Sequence, residues 1–209
     1  RKILNAGGGT GGHLFPALAI GEEIHRREPN AMIHYVGSNF GLEARVFPVK
    51  NVWHSLLPIR GFQRGLSLQS LGRNMLLPTR IIRSMLKLRS LLLDFLPEVV
   101  VGTGGYASAL PLYMASRKAE PLPIILQEQN SFPGVTTRWF AEKAKTICIA
   151  FKEANDYLER ETVLTGNPIR QGIENGLREN AEKEFNLNPD HQTIFLFVVS
   201  LGSAYLNKM

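Results

Sequence analysis

Residues 7–12 hold five glycines around one threonine, and an imidazole follows at once: "AGGGTGGHLFPALAI", Ala6–Ile20. Glycine loses more conformational freedom on folding than any other residue, so a cluster this dense serves positive φ or close approach of the backbone. Bare amides beside a titratable ring suit two tasks, holding an anion and moving a proton. Three further stretches add groups of the same kind: "GTGGY" (Gly102–Tyr106), "QEQNS" (Gln127–Ser131) and "TGNPIR" (Thr165–Arg170). Between them they supply glycine turns, carboxamides, a carboxylate and a guanidinium.

Short apolar runs alternate with helix-like segments along the chain, and these must position the four stretches. "RKILNA", "AMIHYVGS", "WHSLLPI", "EVVVG", "LPIILQEQN", "TICIAF" and "TVL" read as strands. "LFPALAIGEEIHRRE" reads as a helix with Pro16 in its first turn, "GLEARVFP" as a short helix halted by Pro48, and residues 68–93 as a long one. Near-continuous apolar strands between helices define an α/β protein, a doubly wound, Rossmann-like parallel sheet covered on both faces. Such sheets bind ligands beyond the carboxyl ends of their strands, where all four stretches fall. The expected organisation is a main domain over 1–170, a polar linker over 171–192, and the first strand and glycine turn of a second domain over 193–209. The start at Arg1 and the stop at "SLGSAYLNKM" suggest part of a longer protein.

Gly7, Gly9 and Gly12 fit the dinucleotide fingerprint G-x-G-x-x-G. That fingerprint needs an acid at the end of the second strand for a ribose hydroxyl. Here "HYVGSNF" offers none before Glu43, which argues against nicotinamide or flavin chemistry. No cofactor is implied, and no His, Cys or carboxylate cluster has metal-ligand spacing. The single Cys148 excludes an internal disulfide, fits a reducing compartment and reads as a small buried hydrophobe.

With 44% hydrophobic and 20% charged residues the composition is that of a globular protein, and no apolar run is long enough to span a bilayer. The net charge of +6 is unevenly placed: residues 45–93 contain nine Lys or Arg and no Asp or Glu, while the remainder is net acidic. Segregation of this kind points to a polyanionic partner. "NMLLPTRIIRSMLKLRSLLL" combines apolar bulk with unopposed positive charge, the character of a helix lying on an anionic membrane. Leu76, Leu77, Ile81, Ile82 and Met85 are the expected lipid contacts, with Arg80, Arg83 and Lys87 at the headgroups and Pro78 at a helix start or kink. Nucleic acid is disfavoured, because no recognition motif or base-stacking aromatic cluster accompanies the charge.

"GGGTGGHLFPALAI", "GLEARVFP", "IRGFQR", "VVVGTGGYAS", "QEQNSFPG" and "TGNPIR" occur in this order along the chain. Together they resemble the MurG family of bacterial peptidoglycan N-acetylglucosaminyltransferases. The resemblance implies the N-terminal half of a GT-B architecture, two Rossmann-like domains facing across a cleft. It implies an inverting transfer of N-acetylglucosamine from UDP-N-acetylglucosamine to the 4-hydroxyl of the muramoyl sugar of lipid I, giving lipid II, at the cytoplasmic face of the inner membrane. By the same resemblance His13 is the catalytic base, with Glu128 as its rival. Thr10, Gly11, Gly12, Asn130, Arg170 and Ser200 match donor-binding positions, and Gly104, Gly105 and Tyr106 match the loop facing the acceptor diphosphate. Val198 and Val199 stand where the family tends to have glycines, which suggests residues absent before Ser200 and a stretch of chain inactive by itself. Two other readings stay open: a different GT-B glycosyltransferase with a lipid acceptor, and a non-catalytic membrane-surface binding module.

Overall fold

A computed structural model describes residues 1–61 and 75–194. Arg64, Arg73, Val198, Val199, Ser200 and the expected second-domain strand from residue 195 onward lie outside the described residues. The chain divides into two units, Arg1–Ile169 and Arg170–Met209.

The first unit is built on a seven-stranded sheet. Its strands are β1 (Lys2–Ala6), β2 (Met32–Ser38), β3 (His54–Leu57), β4 (Val99–Gly102), β5 (Ile124–Glu128), β6 (Thr146–Ile149) and β7 (Val163–Leu164), in the order β3-β2-β1-β4-β5-β6-β7. Every neighbouring pair is parallel. After β1 the chain winds to one side through β2 and β3, then crosses back to place β4 on the other side of β1. The crevice that ligands of such sheets use opens at this reversal. Ala6 stands level with Val36 on one side and with Gly102 on the other, so the first glycine loop and "GTGGY" leave the sheet side by side.

Successive strand residues face opposite sides of the sheet. Ile3, Ile33, Tyr35 and Val101 pack under α1 (Gly11–Arg27) and α2 (Glu43–Val49), with Leu14, Leu18 and Phe47 as the helical half of that core. Leu4, Val36, Val100, Leu126 and Ile147 face the other way, under α3 (Leu77–Phe95), α4 (Tyr106–Ser116) and α5 (Val135–Phe140). Helix α1 starts earlier than its sequence suggests. Gly11 and Gly12 are poor helix formers, yet they make its first turn, and Pro16 is therefore in the second. A proline there removes the donor that would reach the Gly12 carbonyl.

Pro78 does fall at the start of α3. The helix ends at Leu96, a C-cap with a left-handed φ of 51° that stands just before Pro97. Ser84, Leu88, Leu92 and Phe95 are buried against the sheet, and Ile81 packs on the same core. The expected lipid face must therefore be corrected. Ile81 points inward and Leu77 and Met85 are half-buried, whereas Leu76, Ile82, Leu86 and Leu93 are exposed. Arg80 lays its guanidinium over the Phe40 ring at 5.1 Å, a ring that Arg60 of "IRGFQR" covers at 4.0 Å. Arg83 stays exposed, and Lys87, also exposed, donates to the Leu56 carbonyl at 2.9 Å. In the second unit the segment expected as a linker carries a short 3-10 turn at Ile173–Asn175 and a helix α6 at Arg178–Glu184 that buries none of its residues.

Candidate active site

Three loops meet at the carboxyl end of the sheet: residues 7–10 after β1, residues 103–105 after β4 and residues 129–134 after β5. Thr10 caps α1 in an extended conformation, and its carbonyl accepts from the amides of His13 and Leu14. The amides of Thr10, Gly11 and Gly12 find no acceptor among the described residues. They stand at the positive end of the helix, where an anion is favoured.

His13 is the third residue of α1, and its ring is held from the neighbouring loops. Its Nδ1 lies 3.0 Å from the Thr103 carbonyl oxygen and 3.0 Å from Gln129 Oε1. A carbonyl oxygen only accepts, so Nδ1 carries the hydrogen and the neutral ring has its lone pair on Nε2. Thr103, fully buried, adds a hydroxyl that donates to the His13 carbonyl at 2.8 Å, and its amide donates to the Ala6 carbonyl at 3.0 Å.

Gly104 and Gly105 are glycines because the two loops interlock. Both have positive φ, 96° and 76°. A Cβ on Gly104 would sit 2.8 Å from His13 Nδ1, and one on Gly105 would sit 2.1 Å from the Gly8 carbonyl oxygen. Tyr106 opens α4 with its ring against Gly9 and Gly61, and its hydroxyl donates to Ser38 Oγ at 3.4 Å. Burial raises its phenol above the ordinary tyrosine value.

Two buried carboxylates bind backbone. Glu43, fully buried, accepts from the Gly9 amide at 3.1 and 2.9 Å and from the Ser38 amide at 2.7 Å, which ties the first glycine loop to the end of β2. Gly8 leaves room for it, since a Cβ there would meet the carboxylate at 2.4 Å. Glu128, 2% exposed, receives five donors. Its Oε1 accepts from the amides of Gln129 and Asn130, each at 3.1 Å, and from Asn130 Nδ2 at 2.8 Å. Its Oε2 accepts from the Gly134 amide at 3.0 Å and the Thr137 hydroxyl at 2.6 Å. A carboxylate offers about four lone-pair directions, so these donors take its accepting capacity and pin the loop into α5. Asn130 is exposed, with its amide nitrogen spent on Glu128. Asn167 of "TGNPIR" reaches the same loop, its Nδ2 3.4 Å from the Gln129 carbonyl oxygen.

His13, Thr10, Gly11, Gly12, Gly104, Gly105, Tyr106, Glu128 and Asn130 thus gather around the reversal point. Arg170 opens the second unit and Ser200 lies outside the described residues. Sequence reasoning passed over Thr103, Gln129 and Glu43, although the first two stand inside the strings "GTGG" and "QEQN". Cys148 is half-buried rather than fully buried, and burial raises its thiol, which does not favour a nucleophile. Among the described residues no three His, Cys, Asp or Glu side chains converge as a metal site.

The model of the glycosyltransferase family 28 N-terminal domain matches residues 3–149. A curated protein of Christiangramia forsetii, named UDP-N-acetylglucosamine--N-acetylmuramyl-(pentapeptide) pyrophosphoryl-undecaprenol N-acetylglucosamine transferase, is 38% identical over 216 residues, covering 100% of this chain and 56% of that protein. The protein of the same name from Phocaeicola vulgatus is 38% identical over 210 residues, covering 99% and 54%. The chain spans about half the length of these relatives. Among solved structures, Acinetobacter baumannii MurG aligns with a TM-score of 0.63 at 22% identity, covering 83% of this chain and 47% of that one. The UDP-N-acetylglucosamine 2-epimerase of Rickettsia bellii aligns with a TM-score of 0.54 at 15% identity, covering 90% and 51%. At these identities the two structures speak for the fold alone.

Proposed function

This chain belongs to glycosyltransferase family 28, and from that premise we propose that it is the acceptor-side half of an inverting N-acetylglucosaminyltransferase. The donor is UDP-N-acetylglucosamine, and the acceptor is the 4-hydroxyl of the muramoyl sugar of lipid I, an undecaprenyl diphosphate glycolipid. The observation that carries the reading is His13, held through Nδ1 so that its lone pair is on Nε2, at the start of the helix whose amides at Thr10, Gly11 and Gly12 find no acceptor among the described residues.

In this mechanism the acceptor oxygen forms its bond to the sugar's anomeric carbon as the bond from that carbon to the UDP oxygen breaks. A single displacement inverts the anomeric configuration. The proton of the 4-hydroxyl passes to His13 Nε2, and the electron pair of the broken bond leaves with UDP. The amides at the start of α1 take the donor sugar nucleotide, and Asn130 takes its sugar through Oδ1. Gly104, Gly105 and Tyr106 face the acceptor diphosphate. Glu128, its oxygens already engaged, holds the 129–134 loop, so His13 is the better base.

The relatives' names include an undecaprenol, and no described helix is long and apolar enough to cross a membrane. We assign peripheral contact at the cytoplasmic leaflet to the outward face of α3. Exposed Ile82, Leu86 and Leu93 alternate there with Arg83 and Arg89, and Arg117 and Lys118 rim the groove beside α4. Anionic lipid attracts each such cation by about 1 kcal/mol. Charge reversal at Arg83 and Arg89 is expected to weaken co-sedimentation with anionic vesicles at least tenfold at fixed salt; unchanged binding removes this face from the reading.

Release of UDP by the complete polypeptide, with and without a lipid I analogue, tests the activity. His13→Ala is expected to lower kcat by about a hundred- to ten-thousandfold with the thermal midpoint little changed. Full turnover by that variant would eliminate His13 as the base.

A further inference from the structure

We propose that Gln129, together with the Thr103 carbonyl, sets the tautomer of His13 and so decides which ring nitrogen takes the proton. This rests on the reading of His13 as the base and adds a positioning residue to it. The two ends of the Gln129 amide are told apart by their neighbours. Its Nε2 lies 2.8 Å from the Thr103 carbonyl oxygen and 3.1 Å from the Gln127 carbonyl oxygen, and it also meets Gln127 Oε1. All three are acceptors, so the NH2 group must face them. A turned amide would set oxygen against oxygen with no hydrogen between.

Gln127 is fixed in the same way. It is 3% exposed, and its own Nε2 donates to the Glu128 carbonyl at 3.2 Å, which leaves its Oε1 toward Gln129. The hydrogen bonds therefore run in one direction, from His13 Nδ1 to Gln129 Oε1, from Gln129 Nε2 to Gln127 Oε1, and from Gln127 Nε2 to the Glu128 carbonyl. The direction is anchored by main-chain carbonyls, which cannot donate. The ring is seated as well as bonded, because the absent Cβ atoms of Gly104 and Gly105 would come within 2.8 Å of Nδ1 and 3.0 Å of Cδ2. A flipped ring would turn carbon toward both oxygens.

The choice of a carboxamide here has a chemical consequence. A carboxylate in its place would stabilise the imidazolium and raise the basicity of the ring, leaving less neutral base at a given pH. A neutral acceptor fixes the tautomer without that charge. When a ring's orienting partner imposes the wrong tautomer, the loss is large, about ten-thousandfold in the serine-protease triad.

The test uses the complete polypeptide carrying nitrogen-15 in its histidine rings, with the His13 signals identified by their loss in His13→Gln. Wild type should show a protonated Nδ1 and an unprotonated Nε2 above the titration of the ring. Gln129→Leu should move the tautomer ratio toward a mixture and lower kcat about tenfold or more, with KM for UDP-N-acetylglucosamine little changed. Gln129→Glu keeps an acceptor for Nδ1 but sets its second oxygen against the Thr103 and Gln127 oxygens, so it should shift the acid limb of the kcat profile to higher pH without restoring wild-type turnover. An Nε2-protonated ring in wild type, or a ratio and pH profile that neither variant moves, overturns the inference. Tautomers that behave as expected while His13→Gln retains full turnover would sink the assignment of the base and leave the role of Gln129 in the ring's tautomer standing.

Discussion

The tetrapeptide Gly-Thr-Gly-Gly occurs twice, as Gly9–Gly12 after β1 and as Gly102–Gly105 from the last residue of β4, and the fold puts the two copies to opposite uses. In the first copy Thr10 is exposed, Gly11 and Gly12 already belong to a helix, and a Cβ on Gly12 would meet only Thr10 Oγ1 at 3.8 Å. In the second copy Thr103 is buried, and both following glycines have positive φ and press on His13 and Gly8. One copy is an open cradle, and the other is the wall behind the His13 ring. Identical strings acquire different roles because one is followed directly by helix and the other must first turn beneath its neighbour.

The largest expected break in this contrast is Gly105→Ala. Positive φ and a 2.1 Å contact with a carbonyl oxygen should cost about 2–4 kcal/mol, read from the denaturant midpoint, with turnover lost as His13 is displaced. Glu43→Gln comes next. It sets an NH2 group near amide donors that now meet carboxylate oxygens, and should cost about 1–3 kcal/mol. Thr103→Val removes only the hydroxyl bond to the His13 carbonyl and should cost about 1 kcal/mol, whereas Thr10→Val should leave stability nearly unchanged. The smallest effect on folding is expected from Gly12→Ala, which should be neutral or stabilise by up to about 1 kcal/mol as a helix substitution. It should still raise KM for the donor by crowding the open amides. A Gly12→Ala protein as destabilised as Gly105→Ala would erase the distinction between the two copies.

The class of fold and the strand ends that build the site were legible because apolar runs and glycine turns are local signals. The start of α1 was not. Gly11 and Gly12 look like loop and Pro16 looks like a first-turn residue, until the packing of Leu14 and Leu18 draws the helix back to Gly11. The outward face of α3 was misassigned because the helix carries two apolar stripes. Only the sheet decides that Ile81, Leu88 and Leu92 face in while Ile82, Leu86 and Leu93 face out. Thr103 and Gln129 escaped notice for another reason. Their bonds to His13 span 90 and 116 residues of sequence, and no periodicity encodes a partner at that distance.

Glu43 bears on how the site meets its ligand. By engaging the Gly9 amide with a carboxylate of its own chain, the protein carries a built-in stand-in for the phosphate that holds such a loop in dinucleotide enzymes. The loop therefore keeps its shape before any nucleotide arrives, and less of the binding energy goes into ordering it. A dinucleotide that needs the Gly9 amide would have to displace a resident.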